Sequence, residues 1–304
     1  MKALVIGYGS IGRRHARVLA ELGCEVAVVS RRAVEFKPRY ADLRKALADW
    51  QPDYVVVAGR TSEHHQTLGL LAEQGFQGRV LVEKPLFDRP LPLPEHSFSV
   101  TAVAYNLRCH PLLRRLSKFL SGESSIVAAH VYVGSHLSQW RPDTDYRQSY
   151  SARRQEGGGV LRDLSHELDY AAWLFGPWRR LTALGGHLSS LEIDSDDAYS
   201  LLMETERCKV VSIHLNYVDR TLRREILVHT DLHTVHVDLV RNFFELDGTR
   251  ETETVERDAT YRAEHEAMLQ RNGEGLCSLS EAIETLATIE AAERAADTHA
   301  WIAR

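Results

Sequence analysis

The chain has 304 residues, which is enough for two domains of ordinary size. Its residues are 44% hydrophobic and 26% charged, as in soluble globular proteins with substantial cores. The formal net charge of −5 provides neither a basic surface for nucleic acid nor a polybasic strip for a membrane. No apolar stretch approaches the length of a membrane span, so we expect neither kind of partner.

The cysteines and histidines are scattered along the sequence. Cys24, Cys109, Cys208 and Cys277 form no CxxC pair, which argues against a disulfide framework, a redox dithiol or a zinc knuckle. The histidines show no clustered ligand spacing, so we expect no metal. The N-terminal segment MKALVIGYGSIG differs from a signal peptide because its short apolar run leads straight into a glycine motif. We therefore expect a cytoplasmic protein.

Predicted strands and helices alternate through the first hundred residues. We predict strands at Ala3–Ile6, Glu25–Ser30, Tyr54–Ala58 and Arg79–Val82. We predict helices at Ile11–Leu22, over residues 41–50, and from a cap at Ser62 to about Gly75. This alternation is typical of βαβ units and predicts a parallel, doubly wound α/β sheet of the Rossmann type.

The pattern changes after a proline-rich connector at residues 88–97. A strand at Val100–Tyr105 closes the predicted first sheet, and we place the domain boundary near residue 118. This gives a Rossmann domain at 1–118 and an α+β substrate-binding and oligomerisation domain at 119–304. In the second domain we predict strands at Ile126–Val133, Tyr199–Glu204, Lys209–Tyr217, Arg224–Thr230 and His233–Leu239, and a helix at Ser278–His299. Successive strands without intervening helices favour an antiparallel sheet, and DGTRETETVERD is interpreted as a charged turn.

A glycine motif, GYGSIG, follows the first predicted strand and opens the first helix. Gly7 permits a tight turn, Gly9 lets a pyrophosphate approach the backbone, and Gly12 lets helix and strand pack closely. Ser10 and Ile11 complete the loop, whose free N–H groups suit a phosphate. The motif therefore predicts a dinucleotide site, and the alternative is a glycine turn in an α/β protein that binds no nucleotide.

The end of the second strand carries the residues expected to contact the adenosine ribose. An NAD site usually has Asp or Glu at this place, whereas this chain has Ser30, Arg31 and Arg32. A hydroxyl and two guanidinium groups suit the 2′-phosphate of NADP. We therefore predict NADP rather than NAD, although a solvated basic turn has the same sequence.

Four motifs in order resemble one family. GYGSIGRRHAR, VEKPL at residues 82–86, YNLRCHP at 105–111 and GGGVLRDLSHELD at 157–169 are together similar to the Gfo/Idh/MocA oxidoreductases. The resemblance covers essentially the whole chain. It implies a Rossmann domain, a second domain with a large, open, mostly antiparallel sheet, and oxidation or reduction of a carbohydrate hydroxyl or carbonyl.

The resemblance also implies a catalytic lysine. Lys84 matches the family's lysine near nicotinamide and substrate, where an ammonium group donates a proton or stabilises negative charge on oxygen. The neighbouring Glu83 is predicted to be one of the residues that bind the cofactor. From the isolated EKP sequence alone, a surface lysine before a turn is the alternative interpretation.

The segment that begins at Gly159 is predicted to be one continuous helix with two faces. Its apolar residues fall on one arc, and Asp163, His166, Asp169 and Tyr170 fall on the opposite face. We assign His166 as proton donor or acceptor and Asp163 as the residue that orients substrate or lysine. The family more often has this aspartate four residues before the histidine, whereas here the spacing is three. The alternative is a pair that only packs between domains.

Further binding residues come from three other segments. Arg60, Thr61 and His64 follow a predicted strand where cofactor contacts are expected, with Arg60 at a position where the family usually has proline. Asn106 and Arg108 of YNLRCHP are substrate-binding candidates. Residues 135–159 are predicted to form a lid in which aromatic side chains stack on a sugar and guanidinium groups hold an acid or phosphate. The aromatic residues are Trp140, Tyr146 and Tyr150, and the arginines are Arg141, Arg147 and Arg153. The alternative for this segment is an ordinary long loop.

The sequence therefore predicts a NAD(P)-dependent oxidoreductase acting on a sugar or sugar acid. The segment before HELDY is similar to enzymes associated with nonulosonic acid or surface-glycan synthesis. Two alternatives stay open: a redox-neutral glycosidase or epimerase that retains its cofactor, and a non-catalytic dinucleotide sensor. We also expect a homo-oligomer, either a dimer or a tetramer, because a broad open sheet needs covering.

Overall fold

Strands and helices alternate in the first part of the computed structural model, which describes residues 1–141, 143–270 and 272–304. The strands are β1 (Lys2–Ile6), β2 (Glu25–Val29), β3 (Arg39–Tyr40), β4 (Tyr54–Val57), β5 (Arg79–Val82) and β6 (Val100–Val103). The helices are α1 (Ser10–Glu21), α2 (Leu43–Trp50) and α3 (His64–Glu73). In the described residues the strands form a six-stranded sheet in the order β3-β2-β1-β4-β5-β6. All pairs are parallel, which confirms the predicted Rossmann sheet.

The strand order reverses between β1 and β4. Ile6 pairs with Val57, so the loops that begin at Gly7 and Ala58 leave the sheet side by side at its carboxyl edge. Ligands of open α/β sheets bind at this kind of switch point. The strands themselves are apolar and buried on both faces, as Val5, Val56 and Leu81 show at 0% exposure.

The second sheet has nine strands among the described residues. They are β7 (Ile126–Gly134), β8 (Trp178–Gly186), β9 (Ala198–Thr205), β10 (Cys208–Asn216), β11 (Arg223–Thr230), β12 (Thr234–Asp238), β13 (Phe243–Leu246), β14 (Thr249–Thr252) and β15 (Ile302–Ala303). Their order is β14-β13-β12-β11-β7-β10-β9-β8-β15. Only β7 and β10 pair in parallel in this sheet of the described chain, which confirms the expectation of a mostly antiparallel sheet.

Alternation along the strands buries one face of this sheet. In β10, Val211, Ile213 and Leu215 are at most 1% exposed, whereas Val210 is 43% exposed. Such alternation is expected where one face packs on a core and the other does not.

The remaining helices are α4 (Pro111–Ser121), α5 (Val160–Asp163), α6 (His166–Phe175), α7 (Ala259–Gln270) and α8 (Leu279–Thr298). None of the described helices is long and apolar enough to cross a membrane.

The structure corrects the predicted helix that begins at Gly159. The backbone of Leu164 leaves the helical conformation (φ −101°, ψ 28°), so α5 ends at Asp163 and α6 begins at His166. Of the residues on the predicted polar face, Asp163, Asp169 and Tyr170 are buried at 8%, 1% and 0% exposure, and His166 is half-buried. Helix α5 packs on β9 and β10, and α6 packs on β7 and β10.

Other corrections concern turns and caps. The segment interpreted as a charged turn contains β14, which pairs with β13 through a two-residue connection at Asp247 and Gly248. Both residues have positive φ, as an Asp-Gly hairpin turn requires. Ser62 caps no α-helix, because Thr61–Glu63 is a 3₁₀ turn and α3 begins at His64. Other elements that the sequence did not predict are β3, β8, β13, β15, α4 and α7.

The chain divides into two compact units that are not contiguous in sequence. The first comprises Met1–Cys109 and Glu256–Ile283, and the second comprises His110–Val255 and Glu284–Arg304. The first unit therefore includes a late segment with α7, which the predicted contiguous domains 1–118 and 119–304 leave in the second domain.

Candidate active-site groups

The glycine loop of the first unit has the shape that a dinucleotide requires. Gly7 has φ +94°, and a Cβ there would lie 2.5 Å from the carbonyl oxygen of Ala58. A Cβ at Gly12 would collide with the carbonyl oxygen of Gly7. At Gly9, in contrast, no described atom lies within 4 Å of the Cβ position. Gly7 and Gly12 therefore let neighbouring backbone segments approach closely, whereas Gly9 leaves open space beside the backbone.

The open space at Gly9 lies against the first turn of α1. That turn begins at Ser10 and Ile11 and carries no acidic residue, and no side chain of the described chain caps it. Its N–H groups and the positive end of the helix dipole are thus available to an anion. The loop fits the pyrophosphate of a nicotinamide dinucleotide.

The loop after β2 is held by an arginine that the sequence analysis overlooked. Arg39 donates from Nη1 to the carbonyl oxygens of Ser30, at 3.0 Å, and Arg32, at 3.3 Å. The Ser30 hydroxyl donates to the Arg32 carbonyl at 3.0 Å. The Arg31 side chain is 82% exposed and contacts Glu63 at 3.2 Å. The three predicted residues form one turn, which this ion pair connects to the loop after β4.

The loop after β4 also contacts the segment after β5. His64 is buried at 1% exposure, and its Nδ1 lies 3.1 Å from the carbonyl oxygen of Leu86. Because a carbonyl only accepts, Nδ1 carries the proton. Burial lowers the pKa of His64, so the ring is neutral. His64 therefore holds the segment that follows Lys84 by this hydrogen bond. Of the other two predicted residues in this loop, Arg60 is exposed and Thr61 is half-buried.

Glu83 and Lys84 follow β5 directly, at the carboxyl edge of the sheet. Glu83 accepts the backbone N–H of Lys84 on Oε2 at 3.0 Å, and its Oε1 lies 2.8 Å from His15 Nε2. Burial alone would raise the pKa of Glu83, but the hydrogen bond from His15 and the charge and backbone N–H of Lys84 favour the ionised form, and the pKa of Glu83 is lowered overall. The Glu83 carboxylate is therefore engaged inside the unit, and Lys84 is half-buried.

The two residues taken from YNLRCHP are buried within the first unit. Asn106 is 4% exposed and donates from Nδ2 to the Thr260 hydroxyl at 2.8 Å. Arg108 is 3% exposed and donates to Glu281 at 2.7 Å. Both contacts attach the late segment of the unit to the Rossmann sheet. Their predicted role in substrate binding stays a prediction.

In the second unit, Asp163 lies in a cluster of aromatic hydroxyls. Tyr217 donates to Asp163 Oδ2 at 2.7 Å, and Tyr150 hydrogen-bonds the same carboxylate. The charge of Asp163, followed by burial, raises the pKa of Tyr150. Burial, followed by the charge of Asp163, raises the pKa of Tyr217. Both phenols therefore stay protonated, and the carboxylate acts as an acceptor.

The glycines before α5 make this cluster possible. A Cβ at Gly158 would collide with the carbonyl oxygen of Tyr150, and one at Gly159 would collide with the Asp196 carboxylate. Asp196 in turn accepts the backbone N–H of Leu161 at 3.1 Å, at the start of α5. His166 is half-buried at the first position of α6. Its predicted proton-transfer role and its pairing with Asp163 stay predictions.

The predicted sugar-binding segment is mostly short turns, and Pro142 within it lies outside the described residues. Trp140 packs edge-on against Tyr217, with ring centroids 5.2 Å apart. The Tyr146 hydroxyl accepts the backbone N–H of Glu192 at 3.4 Å. Arg147 and Arg153 form ion pairs with Glu192 and Glu156. The structure thus brings Trp140 to the Asp163 cluster, and acidic neighbours already bind two of the predicted anion-binding arginines.

Three residues near these groups were not predicted from the sequence. Tyr217 binds Asp163 together with Tyr150 of the predicted sugar-binding segment, and His15 and His265 lie behind Glu83. Tyr217 continues the inward alternation of Val211, Ile213 and Leu215, so a hydroxyl among apolar positions was the available signal. A histidine in the apolar stripe of α1 was the corresponding signal for His15.

Two family models match the chain. Residues 1–97 match the model of an oxidoreductase family with an NAD-binding Rossmann fold. Residues 128–252 match the GFO/IDH/MocA C-terminal domain. The chain therefore belongs to the Gfo/Idh/MocA family of NAD-binding oxidoreductases, which confirms the resemblance and the enzyme class predicted from the sequence.

Three solved structures share the fold over nearly their full length. GenD2 from gentamicin A biosynthesis, in complex with NAD, has a TM-score of 0.79 and 22% identity, over 100% of this chain and 96% of that chain. Levoglucosan dehydrogenase, with NADH and levoglucosan, has a TM-score of 0.85 and 16% identity, over 100% and 98%. The WlbA dehydrogenase of Bordetella pertussis, in complex with NADH and UDP-GlcNAcA, has a TM-score of 0.81 and 19% identity, over 100% of this chain and 97% of that chain. No curated protein sequence matches the chain.

Proposed function

We propose that the protein transfers hydride between a nicotinamide dinucleotide and a hydroxyl or carbonyl group of a sugar or sugar-acid derivative. The observation that carries this proposal is the glycine loop at the switch point of the sheet, with Lys84 directly after β5 at the same edge. The solved relatives with levoglucosan and with UDP-GlcNAcA support a carbohydrate substrate. A role in surface-glycan or nonulosonate metabolism is part of the proposal.

In the proposed reaction, the side chains handle the proton and the charge on oxygen. The dinucleotide, when bound, supplies the hydride acceptor or donor. In the oxidative direction His166 accepts the hydroxyl proton, while the Lys84 ammonium stabilises the negative charge that develops on oxygen. Asp163, held by Tyr217 and Tyr150, orients the substrate by accepting a hydroxyl hydrogen bond. In the reductive direction the proton returns from His166 to the carbonyl oxygen.

We propose NADP as the preferred dinucleotide. The absence of an acidic residue directly after β2, and the presence of Ser30, Arg31 and Arg32, support a 2′-phosphate contact. The solved relatives carry NAD or NADH. Arg31 forms an exposed ion pair with Glu63, and it would have to leave this pair to bind a 2′-phosphate. Exposed ion pairs are weak, so the exchange costs little.

We also propose cytoplasmic location and self-association. The scattered cysteines without a CxxC pair support a reducing compartment. The outward side of the nine-stranded sheet exposes large apolar residues on four neighbouring strands, which supports a homo-oligomer. These residues are Val127, Leu184, Leu202 and Val210.

A screen of sugars and sugar acids with both dinucleotides tests the proposed function. We expect net formation or consumption of the reduced nicotinamide, followed by its absorbance, with NADP favoured over NAD. Product formation without net cofactor change would support a redox-neutral enzyme instead. Activity with NAD far above that with NADP would contradict the proposed role of Arg31 and Arg32 alone. Dinucleotide binding without turnover of any sugar would support a sensor.

A further inference from the structure

Four buried side chains of the first unit form a continuous hydrogen-bond chain that ends beside Lys84. The Tyr54 hydroxyl lies 2.9 Å from His265 Nδ1, and His265 Nε2 lies 2.8 Å from His15 Nδ1. His15 Nε2 lies 2.8 Å from Glu83 Oε1. Tyr54, His265 and His15 are each 0% exposed and Glu83 is 8% exposed, so water does not compete for these bonds.

One arrangement of protons satisfies all three bonds with both imidazoles neutral and Glu83 ionised. Tyr54 donates to His265 Nδ1, which leaves the proton of His265 on Nε2. That proton is donated to His15 Nδ1, so His15 carries its proton on Nε2 and donates to Glu83. The second oxygen of Glu83 accepts the backbone N–H of Lys84 at 3.0 Å. Every donor in the chain therefore points toward the carboxylate.

The pKa directions agree with this arrangement. Burial raises the pKa of Tyr54, which keeps its proton. Burial lowers the pKa of His265, which stays neutral. Burial opposes ionisation of Glu83, but His15 lowers the pKa of this carboxyl overall. With both imidazoles neutral, the reversed chain has Tyr54 accepting from His265 and therefore needs a protonated Glu83, which runs against the lowered pKa of this carboxyl.

We propose that His15, supported by His265 and Tyr54, is a positioning residue that keeps Glu83 ionised and bonded to the Lys84 backbone. A fixed carboxylate beside Lys84 favours the charged ammonium group and limits its movement. The inference rests on the proposed role of Lys84. It assigns a function to contacts that otherwise only attach α7 to the Rossmann sheet.

Two variants separate the charge of Glu83 from its hydrogen bonds. In Glu83→Gln the amide accepts from Lys84 and donates to His15, so the chain reverses with every bond kept and the charge lost. In His15→Gln the amide nitrogen still donates to Glu83 but cannot titrate. His15→Leu removes the contact. Other titratable groups near Glu83 stay in place in all three variants: His64 on α3, Tyr261 and Glu264 on α7, and Lys84.

Steady-state kinetics across pH, with dinucleotide and the best sugar of the screen, are the first readout. We expect Glu83→Gln and His15→Leu to lower kcat about tenfold, with the KM for dinucleotide changed less than about twofold. The acid limb of kcat moves up by about one pH unit in His15→Leu, because Glu83 then protonates at higher pH. His15→Gln restores most of the activity. Unchanged kcat and pH profile in Glu83→Gln, with only a lower Tm, would overturn the inference.

Imidazole ¹⁵N NMR of the full chain is the second readout, and it does not require turnover. We expect both His15 and His265 to be neutral with the proton on Nε2, and both to switch to Nδ1 in Glu83→Gln. A proton on Nδ1 of His15 in the unmodified chain would overturn the inference even if the enzyme is active. If no sugar is turned over, the proposed function fails, and this measurement still decides the proton arrangement.

Discussion

Glu264 on α7 is a carboxyl group in an environment that disfavours its charge. It is 0% exposed, and neither carboxyl oxygen has a hydrogen-bond partner among the residues that the structure describes. Burial, followed by the charge of Glu83, raises the pKa of Glu264 well above its ordinary value. The group is therefore protonated in the folded protein under conditions where it ionises in the unfolded chain. Glu264 reduces the stability of the fold at neutral pH.

Replacement of Glu264 should change how the free energy of unfolding depends on pH. The folded state holds the Glu264 proton more tightly than the unfolded state, so stability falls as pH rises above the ordinary carboxyl range. We expect Glu264→Gln and Glu264→Met to flatten this fall, and Glu264→Met to gain about 1–3 kcal/mol near pH 8. Urea unfolding from pH 4 to 8 measures the effect, with Glu266→Gln on the same helix as control. A parallel pH dependence in Glu264→Gln and the unmodified chain would refute this account.

At the scale of single elements, α4 begins with an unusual cap. His110 is the N-cap, and its Nδ1 accepts the backbone N–H of Leu112 at 3.3 Å, which requires an unprotonated nitrogen. Burial, followed by the positive charge of Arg224, lowers the pKa of His110 to about 4. A charged imidazole would also oppose the dipole at the helix start. The cap thus depends on a neutral histidine.

Acid should lower the stability of the fold through His110 at pH values above those at which most carboxyl groups protonate, because the unfolded chain takes up the imidazole proton first. Because the folded-state pKa of His110 lies below the unfolded value, the stability that it contributes is lost as pH falls from about 6.5 toward 4. His110→Asn keeps an acceptor at the cap and does not titrate. We expect its stability to depend less on pH in this range, by up to about 1.4 kcal/mol per pH unit. His110→Ala should lose about 1 kcal/mol at neutral pH. Equal acid slopes in His110→Asn and the unmodified chain would exclude this role.

The strand and helix positions show what local sequence predicts and what it does not. Apolar runs predicted all strands of the Rossmann sheet except the two-residue β3, because strands buried on both faces are apolar throughout. The same periodicity missed the break at Leu164, because the apolar spacing continues through it and carries no signal of the change in backbone conformation. The Asp247-Gly248 hairpin carried a recognisable turn signal that the high local charge obscured.

Within the candidate site, too, residues in local motifs could be predicted from the sequence, whereas residues brought together by long-range contacts could not. The glycine loop and Lys84 are local to strand ends, and the sequence located them. The contact between His15 and His265 joins residues 250 positions apart, and no periodicity in one sequence indicates such a pair. The aromatic hydroxyls around Asp163 likewise come from a turn and from the end of β10, which meet only in the folded unit.

At the scale of the whole molecule, family membership and geometry answer different questions. The family models and the Rossmann sheet establish an NAD-binding oxidoreductase. A fold of this kind hosts many substrates, so the architecture does not identify the substrate or the atom that reacts. The proposed reaction requires Lys84 to act on the oxygen of a bound carbohydrate during hydride transfer.

The rate of nicotinamide reduction in a single turnover tests this claim most directly. Unmodified protein and Lys84→Met are compared with saturating dinucleotide and the best sugar of the screen, and dinucleotide affinity is measured in parallel. We expect Lys84→Met to bind dinucleotide within about threefold of the unmodified protein and to reduce it about 10²–10⁴ times more slowly. Equal rates in the two proteins would contradict the assignment of Lys84 and, with it, the proposed reaction at this edge of the sheet.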